Sequence, residues 1–373
     1  MDKRFLHIVS FTVPWPPDYG GAMDVFYKVK ALSERGVKVI LHCFTYSRKQ
    51  AAELEKYCHE VCYYKRETGV FRQFSRVPYI VKSRKNEKLI SRLREDNHPI
   101  LLEGTHTTAV LQFPELQNRD IWIRMHNVET DYYRSLCRTE KSFFKRLFFK
   151  LETLRLKAWE KGPFKVKGII PISEGDADFF KKVHENVHLI TAFHGETEVK
   201  SQTGIGKYVL YHGDLSVAEN HCSALFVLRI CSEAGVPLII AGKNPSRALA
   251  RKVLEVETCQ LIRNVDAAEM EQLISNAAAI LLPAYQTTGL RLKLLVSLFR
   301  GRHCIASPQM VENTHLEPLC EVVSKDAEWI AAIQKSISTA FSQYEVDKRN
   351  QLLIPFMDAA NADRMIQLIF GTH

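Results

Sequence analysis

The sequence alternates short apolar runs with helical patterns, and this alternation starts twice along the chain. The first series opens with an apolar run at residues 5–13, a Pro/Gly loop, a helical pattern at 22–35 and a second apolar run. The second series opens at residues 207–213 and continues to residue 307. Segments that alternate in this way build parallel sheets with helices on both faces. The chain is therefore predicted to be an α/β protein with two Rossmann-like, doubly wound domains.

The length of 373 residues agrees with two domains, because a single hydrophobic core rarely grows beyond about 250–300 residues. The stretch near 192–206 is polar, contains glycine and lacks periodicity, so it is the predicted boundary. We therefore predict an N-terminal domain at 1–192 and a C-terminal domain at 193–352. A final amphipathic helix is predicted at 353–373.

The sequence predicts neither a membrane-spanning segment nor a signal peptide. No window holds about 18 uninterrupted apolar residues, which a transmembrane helix needs. The N-terminal MDKRFLHIVSF has no apolar stretch followed by a cleavage site, so it is predicted to be the first strand. We expect a cytoplasmic protein.

The cysteines predict free thiols and no metal site. The chain has nine of them, and the pair Cys58 and Cys62, with His59 between them, has no second ligand pair at finger-like spacing. Free thiols in a reducing compartment are the better interpretation. We therefore expect no bound metal and no cofactor.

The net charge of +9 is unevenly placed. Residues 1–200 carry ten more basic than acidic side chains, whereas residues 201–373 carry one more acidic than basic side chain. Such asymmetry indicates that the first half meets something anionic, such as a membrane surface or a phosphorylated acceptor. The sequence has no helix-turn-helix, zinc finger or RNA-binding aromatic motif, so nucleic acid is not a predicted partner.

Residues 142–167 hold eight Lys or Arg, two acids and interleaved aromatic residues. On a helix this pattern gives an apolar stripe beside a basic face, which is typical of contact with an anionic membrane surface. The alternative is that the Phe and Leu side chains pack into the core and leave the lysines solvated. The sequence leaves both open.

Two loops have the composition of anion sites. Gly20 and Gly21 stand between the first strand and the first helix, where backbone N–H groups can approach an anion; a plain turn is the alternative. The stretch 281–307 contains a second strand–loop–helix step. Its helix start offers free N–H groups, and nearby hydroxyls and an ammonium add donors: Gln286, Thr287, Thr288, Gly289 and Lys293.

His126 follows the strand predicted at 120–125, so it is expected at the carboxyl edge of the first sheet. Ligands of open α/β sheets bind at this edge. The alternative is that His126 merely precedes a helix, with Asn127 as its cap and Asp131 in the first turn.

These motifs together resemble the GT-B glycosyltransferases, in particular the retaining bacterial family 4, also called group 1, of mannosyl- and glucosyltransferase-like proteins. The resemblance covers nearly the whole chain, and its seven motifs occur in the family's order: HIVSFTVPWPPDYGGAMDVFYKVKALSERGVKVILHCF, RMHNVETDYYRSL, GIIPISEGDADFF, AFHGETE, YHGDLSVAENHCSALFVL, LIIAGK and residues 281–307. It implies two Rossmann-like domains facing each other across a cleft and a last helix that returns to the first domain.

The resemblance also implies roles for individual residues. His126 would sit beside the donor sugar as the catalytic residue. The donor would be held by a set of glycines, basic residues and hydroxyls: Gly20, Gly21, Gly213, Lys243, Arg263, Val265, Gln286, Thr287, Thr288, Gly289 and Lys293. The N-terminal domain would serve the acceptor, and the C-terminal domain would bind the nucleotide-sugar donor.

The chain departs from the family pattern at its charged positions. The register set by Gly289 puts Thr288 and Val296 where the family has two glutamates, the second of which binds the ribose. Asp214 and Asn220 stand where the family has two basic residues near the diphosphate. Lys293, Arg291 or Lys243 could restore the lost charge, and Glu219 is a candidate for the ribose.

The resemblance implies a metal-independent, retaining hexosyltransferase, such as a mannosyltransferase, that acts in polysaccharide or glycoconjugate synthesis. Its partners would be a nucleotide-sugar donor and a glycan or lipid-linked acceptor. Separately, the residue pattern of 142–167 leads us to the hypothesis of peripheral contact with an anionic membrane at the inner membrane face. The missing carboxylates support an alternative: a non-catalytic homologue that binds nucleotide or glycan and partners an active transferase. Asp214 and Glu219 leave open a third hypothesis, the epimerisation of a nucleotide sugar.

Overall fold

The chain forms two compact units in a computed structural model that describes residues 4–69, 75–140, 142–162, 164–285 and 292–371. The first unit comprises Met1–Gly195 and Asp358–His373, and the second comprises Glu196–Met357. Each unit has its own sheet and its own hydrophobic core.

The first unit contains a parallel six-stranded sheet with helices on both faces. Its strands are β1 (Phe5–Ser10), β2 (Lys38–Thr45), β3 (Glu60–Lys65), β4 (Ile100–Glu103), β5 (Ile121–Met125) and β6 (Gly168–Pro171). Its helices before residue 195 are α1 (Gly20–Glu34), α2 (Tyr79–Lys82), α3 (Glu87–Leu93), α4 (Glu129–Thr139), α5 (Phe143–Glu160) and α6 (Glu174–Phe180). The spatial order is β3-β2-β1-β4-β5-β6.

The second unit repeats this architecture. Its strands are β7 (Val209–Asp214), β8 (Leu238–Lys243), β9 (Cys259–Arg263), β10 (Ala279–Leu282), β11 (His303–Ala306) and β12 (Glu321–Val322). Its helices are α7 (Ala218–Ala234), α8 (Arg247–Leu254), α9 (Ala267–Asn276), α10 (Leu292–Arg300), α11 (Pro308–Val311), α12 (Asp326–Ser338) and α13 (Gln343–Leu352). The spatial order is β12-β11-β10-β7-β8-β9.

Buried apolar strands explain why both sheets take this form. In β1, β5 and β10, each residue after the first is buried, as expected for strands that are covered by helices on both faces. In each unit the chain starts at a central strand, builds outward on one side and then crosses to the other. The predicted fold, two Rossmann-like doubly wound domains, is confirmed.

The last helix, α14 (Asp358–Phe370), belongs to the first unit. Its apolar residues Ala362, Met365, Ile366 and Ile369 join the core that α1 and β1 form. The Asp358 carboxylate accepts hydrogen bonds of 2.9 Å from the backbone N–H groups of His194 and Gly195. The predicted return of the final helix to the first domain is therefore confirmed.

No helix among the described residues is both long enough and apolar enough to span a bilayer.

Removing the Asp358 carboxylate should loosen the attachment of α14. We expect Asp358→Ala to cost about 1–3 kcal/mol, because two buried N–H groups lose their acceptor. Urea unfolding followed by tryptophan fluorescence measures this. Asp363→Ala is the matched control, since the Asp363 side chain is 67% exposed and pairs with Arg35. A similar loss in both variants would contradict the role of Asp358.

Candidate functional site

The first sheet reverses its direction of growth between β1 and β4. From β1 the chain moves outward to β2 and β3 and then returns to place β4 on the other side of β1. The loops that leave the carboxyl ends of β1 and β4 therefore diverge, and such divergence points are where open α/β sheets bind ligands. Gly20 begins α1 after β1, and Glu103 is the last residue of β4.

Five buried ionisable side chains converge at this point. The Lys28 ammonium lies 3.0 Å from Asp24 Oδ2 and 2.8 Å from Glu103 Oε1. The Arg124 guanidinium donates to both oxygens of Asp24, at 2.8 and 3.2 Å. His126 Nε2 lies 2.8 Å from Glu103 Oε2 and 3.7 Å from Asp24 Oδ2. We call these five residues the first-unit charge network.

The charge network is balanced, with two carboxylates facing two permanent cations and one imidazole. Burial alone would raise the pKa of Asp24, but Arg124 and Lys28 hold it well below its usual range. Oxygen and nitrogen atoms of Asp24, Glu103 and His126 come within 4.8 Å of one another, a spacing that a metal ion could use. The cationic side chains of Lys28 and Arg124 already supply the positive charge there. The oxygen and nitrogen atoms of Asp24, Glu103 and His126 therefore do not fit a divalent metal ion.

Aromatic packing fixes the surroundings of His126. The Phe11 ring meets the His126 ring edge to face, with centroids 5.4 Å apart. A Cβ atom on Gly21 would approach the Phe11 ring to 2.8 Å, so any other residue here would displace that ring. Gly20 starts α1, and the first helical hydrogen bond, 2.9 Å long, runs from Met23 N–H to the Tyr19 carbonyl. Gly21 therefore has a packing role, and the N–H groups before Met23 lie at the positive end of the helix.

A second acidic cluster lies just beyond His126. The Glu160 carboxylate accepts hydrogen bonds from the N–H groups of Glu129 and Thr130, at 2.8 and 3.0 Å. Burial, together with the nearby Glu160, raises the pKa of Glu129 to about 8. His106 Nδ1 lies 3.9 Å from Glu129 Oε1. These contacts anchor the start of α4 next to His126.

In the second unit, the equivalent edge of the sheet contains Lys293. Its ammonium lies 3.2 Å from Asn220 Oδ1 and 3.4 Å from the Tyr211 hydroxyl. A Cβ atom on Gly213 would lie 3.1 Å from the same ammonium. Asn220 in turn donates to the Asp214 carbonyl at 2.9 Å. Lys293 therefore sits where β7 ends and α7 begins.

The Lys293 ammonium has no carboxylate within 4.0 Å in the part of the chain that the structure describes. Burial lowers the pKa of Lys293 to about 8, and the negative charge of Glu219 opposes this shift. Glu219 accepts a hydrogen bond of 3.2 Å from Tyr285 N–H. A desolvated cation without a close anion is a good partner for an anionic ligand.

The remaining predicted donor residues fall into three groups. Lys243 and Arg263 end β8 and β9, and both side chains are exposed at the same edge of the sheet. Val265 is buried in the hydrophobic core, so only its backbone is available to a ligand. Three loop residues, Thr287, Thr288 and Gly289, lie outside the described residues, as does Gln286.

Sequence reasoning singled out His126 but missed the other four members of the first-unit charge network. A signal for them was present. Glu103 and Arg124 are charged residues within apolar strands, and Asp24 and Lys28 are spaced i, i+4 on the buried face of α1. Charged side chains at such positions must find partners, because an isolated buried charge is costly.

No protein-family model matches the chain. An uncharacterized 44.6 kDa protein in the cps region of Klebsiella pneumoniae is 28% identical over 158 residues, which cover 40% of each chain. The chain thus matches less than half the length of that relative.

Solved structures of glycosyltransferases share the fold over the whole chain. A glycosyltransferase from Rickettsia africae has a TM-score of 0.65 at 12% identity and covers 99% of this chain and 98% of its own. A glycosyltransferase involved in lipopolysaccharide biosynthesis has a TM-score of 0.61 at 11% identity, with 98% and 100% covered. A Medicago truncatula protein complexed with UDP-glucose has a TM-score of 0.55 at 10% identity, with 99% of each chain covered. The chain therefore has the GT-B fold.

Breaking the first-unit charge network should destabilise the first unit strongly. We expect Arg124→Met to cost about 3–5 kcal/mol, because Asp24 would keep only one cation in a buried site. Urea unfolding followed by the fluorescence of Trp15, Trp122 and Trp159 measures this unit. Lys181→Met, which breaks an exposed pair with Asp178, is the control and should change stability by less than about 0.5 kcal/mol.

The first-unit charge network also predicts how the stability of the first unit depends on pH. Because the folded-state pKa of Asp24 lies below the unfolded value of about 3.9, its stabilisation is complete above that value. It is lost as the pH falls towards the folded-state pKa. Equal stability of Arg124→Met and the wild type at pH 7 would contradict the account.

Proposed function

We propose that the chain is a glycosyltransferase that moves a hexose from a nucleotide-sugar donor to a glycan or lipid-linked acceptor in surface polysaccharide synthesis. The GT-B fold supports this proposal, as do the structural neighbours that are glycosyltransferases. The relative named for the cps region supports the role in polysaccharide synthesis. We propose that the protein works on the cytoplasmic side of the membrane.

The observation that carries the proposal is the position of Lys293. In the family that the sequence resembles, a lysine at the position of Asn220 serves the diphosphate. Here the Lys293 ammonium, which comes from α10, lies 3.2 Å from Oδ1 of Asn220 on α7, so a cation lies beside the residue at that family position. A charge-assisted hydrogen bond to a phosphate is worth roughly 1.5–3 kcal/mol. We infer that Lys293 binds the donor diphosphate.

Two further groups support a nucleotide near Lys293. Glu219 lies at the start of α7 and offers a carboxylate to ribose hydroxyls, which Val296 cannot do because it packs against the apolar core. His212 Nε2 is buried and has no hydrogen-bond partner among the described residues. Burial lowers the pKa of His212 to about 3, so the ring is neutral. An unsatisfied buried nitrogen is commonly completed by a ligand or a water.

His126 is the residue that we propose to contact the donor sugar. The Glu103 carboxylate can only accept, so His126 Nε2 carries the proton of their 2.8 Å contact. In the neutral ring, Nδ1 then accepts a hydrogen bond, and a sugar hydroxyl is a suitable donor. The first-unit charge network holds the imidazole in this orientation, as second partners of a catalytic histidine generally do.

In the proposed transfer reaction, the protein acts by electrostatic stabilisation of the leaving group and not through a protein nucleophile. When the bond between the sugar and the diphosphate breaks, negative charge develops on the leaving nucleoside diphosphate. Lys293 and the helix N-termini would stabilise that charge without rearrangement, which is the usual source of large rate enhancements. This scheme needs no metal ion, because cations of the protein replace it.

A non-catalytic role is the second candidate. Asp214 places a negative charge at the end of β7, where the resembling family carries a basic residue. Val296 is packed against the core where the family has its ribose-binding carboxylate. Both departures would weaken donor binding, and a chain that binds glycan or nucleotide without turnover would tolerate them.

Donor binding and transfer separate the two candidates. A panel of UDP-, GDP- and ADP-sugars should contain at least one donor that raises the temperature of the unfolding midpoint. At 100 times its Kd, that donor should stabilise the folded protein by about 2.7 kcal/mol. We expect that donor to be hydrolysed or transferred, and His126→Ala to slow turnover by at least about a hundredfold.

The control variant is His59→Ala, whose side chain is exposed in the same unit. Donor binding without turnover in the wild type would favour the non-catalytic candidate. An unchanged rate in His126→Ala would contradict the assigned role of the imidazole.

A further inference from the structure

The helix α5 has apolar side chains on the face that points away from its own unit. Phe143, Leu147, Leu151 and Leu154 recur at the spacing of a single helix face, and Phe144 flanks them. Their side chains are strongly exposed, with Phe144 at 81%, Phe143 at 64% and Leu154 at 60%. We call these five residues the α5 stripe. Aromatic and leucine side chains that cluster in solvent mark an interaction surface.

The opposite face of α5 attaches the helix to the first unit. It carries Glu152, Leu156 and Glu160, all buried. Glu152 accepts a hydrogen bond of 2.7 Å from Tyr79 N–H, and Glu160 binds the start of α4. The α5 stripe is therefore not a core face that happens to be poorly packed, because the core face of α5 is already filled.

The exposed charged side chains of α5 itself are all of the same sign. Both acids of α5 point inward, so they do not neutralise the outer face. The exposed charged side chains of the helix and its end are all basic: Lys145, Arg146, Lys150, Lys157 and Lys161. The Glu140 carboxylate accepts a hydrogen bond from Ser142 N–H just before the helix, but five cations follow it along α5 and its end. An apolar stripe on a helix whose exposed charges are all cations is complementary to a surface that is apolar inside and anionic outside.

A cavity continues the α5 stripe at the C-terminal end of the helix. Ala158 lies one turn beyond Leu154 and is exposed, and it borders a cavity of about 340 Å³. The cavity walls are mainly apolar and include Trp159, Phe164 and Leu111. Lys165 stands at its border. This shape suits a hydrocarbon chain whose anionic headgroup meets the lysine.

We propose that the α5 stripe and its basic border bind the surface of an anionic lipid bilayer, with the adjacent cavity accepting a lipid chain. The contact does not depend on the donor site, since its residues lie in α5, at its end and in the cavity lining, none of which is a predicted donor residue. It would hold the enzyme where a lipid-linked acceptor is presented.

Vesicle co-sedimentation tests the proposal with the full-length protein. We expect binding to vesicles of 30% phosphatidylglycerol in phosphatidylcholine, weak binding to phosphatidylcholine alone, and release by 0.5 M NaCl. The triple variant Phe143→Ser/Phe144→Ser/Leu147→Ser should bind at least about tenfold more weakly. The double variant Lys150→Gln/Lys157→Gln should lose several-fold in affinity and much of the salt dependence.

Matched controls come from the exposed end of α8. Leu254→Ser removes a leucine that is 86% exposed, and Arg251→Gln/Lys252→Gln removes two exposed charges. Both should bind vesicles as the wild type does. The proposal is overturned if the wild type ignores anionic vesicles, or if the triple variant binds them normally.

A second copy of the chain is the other occupant that the α5 stripe could have. Sedimentation velocity without lipid distinguishes it. A concentration-dependent dimer that the triple variant abolishes would overturn the membrane assignment, whereas a monomer in both proteins supports it. The vesicles contain no glycan and no nucleotide sugar, so failure of this proposal is distinguishable from failure of the proposed function.

Discussion

The buried pairing of Asp24 with Lys28 and Arg124 is the interaction on which the first unit depends. Asp24 lies on α1, Arg124 on β5, and Glu103 on β4, so these contacts join the first helix to two strands. Arg124 also donates to the carbonyls of Ile190 and Thr191, at 2.5 and 2.9 Å. Since buried charges are tolerated only when fully paired, the network fixes one arrangement of these elements. The position of His126 depends on that arrangement, because its ring contacts Glu103.

The second unit has a desolvated cation, Lys293, at the corresponding edge of its sheet. In the first-unit charge network each carboxylate has a cation close by, whereas among the described residues Lys293 approaches an amide oxygen and a phenol but no carboxylate. A fully paired network stabilises structure, and an incompletely paired cation is available to a ligand. The two sheets therefore differ in the charged side chains at their carboxyl edges, although their strand orders are similar. This difference agrees with the proposed division between a donor-binding unit and a unit that holds His126.

Much of the fold could be predicted because the strands are apolar and bounded by glycine or proline. The strand β3 was missed, since its residues are mostly half-buried and the segment around Cys58, His59 and Cys62 was considered only as a metal motif, which was rejected. The structure shows Cys58 and Cys62 as free thiols. Edge strands of this kind lack the continuous apolar run on which the prediction relied.

The sites were harder to predict because their contacts join distant parts of the chain. Glu103 and Arg124 are adjacent only because β4 and β5 pair in that register. Lys293 and Asn220 are 73 positions apart and meet because α10 and α7 flank the neighbouring strands β10 and β7. The α5 pattern was ambiguous for a related reason. Sequence gives the apolar and basic faces, but it does not show that Glu152 and Glu160 supply the buried face.

If Lys293 supplies the positive charge that binds the donor diphosphate, nucleotide affinity should depend on pH. Calorimetric titration of UDP, GDP and ADP should show one nucleotide that binds the wild type well at pH 7 and several-fold more weakly at pH 9. The reason is that the ammonium, with a pKa of about 8, is charged below that value and neutral above it. Lys293→Met should bind at least about tenfold more weakly at pH 7 and show little pH dependence. The control Lys252→Met should behave as the wild type. Wild-type affinity in Lys293→Met, or no binding of any of the three nucleotides, would contradict the claim.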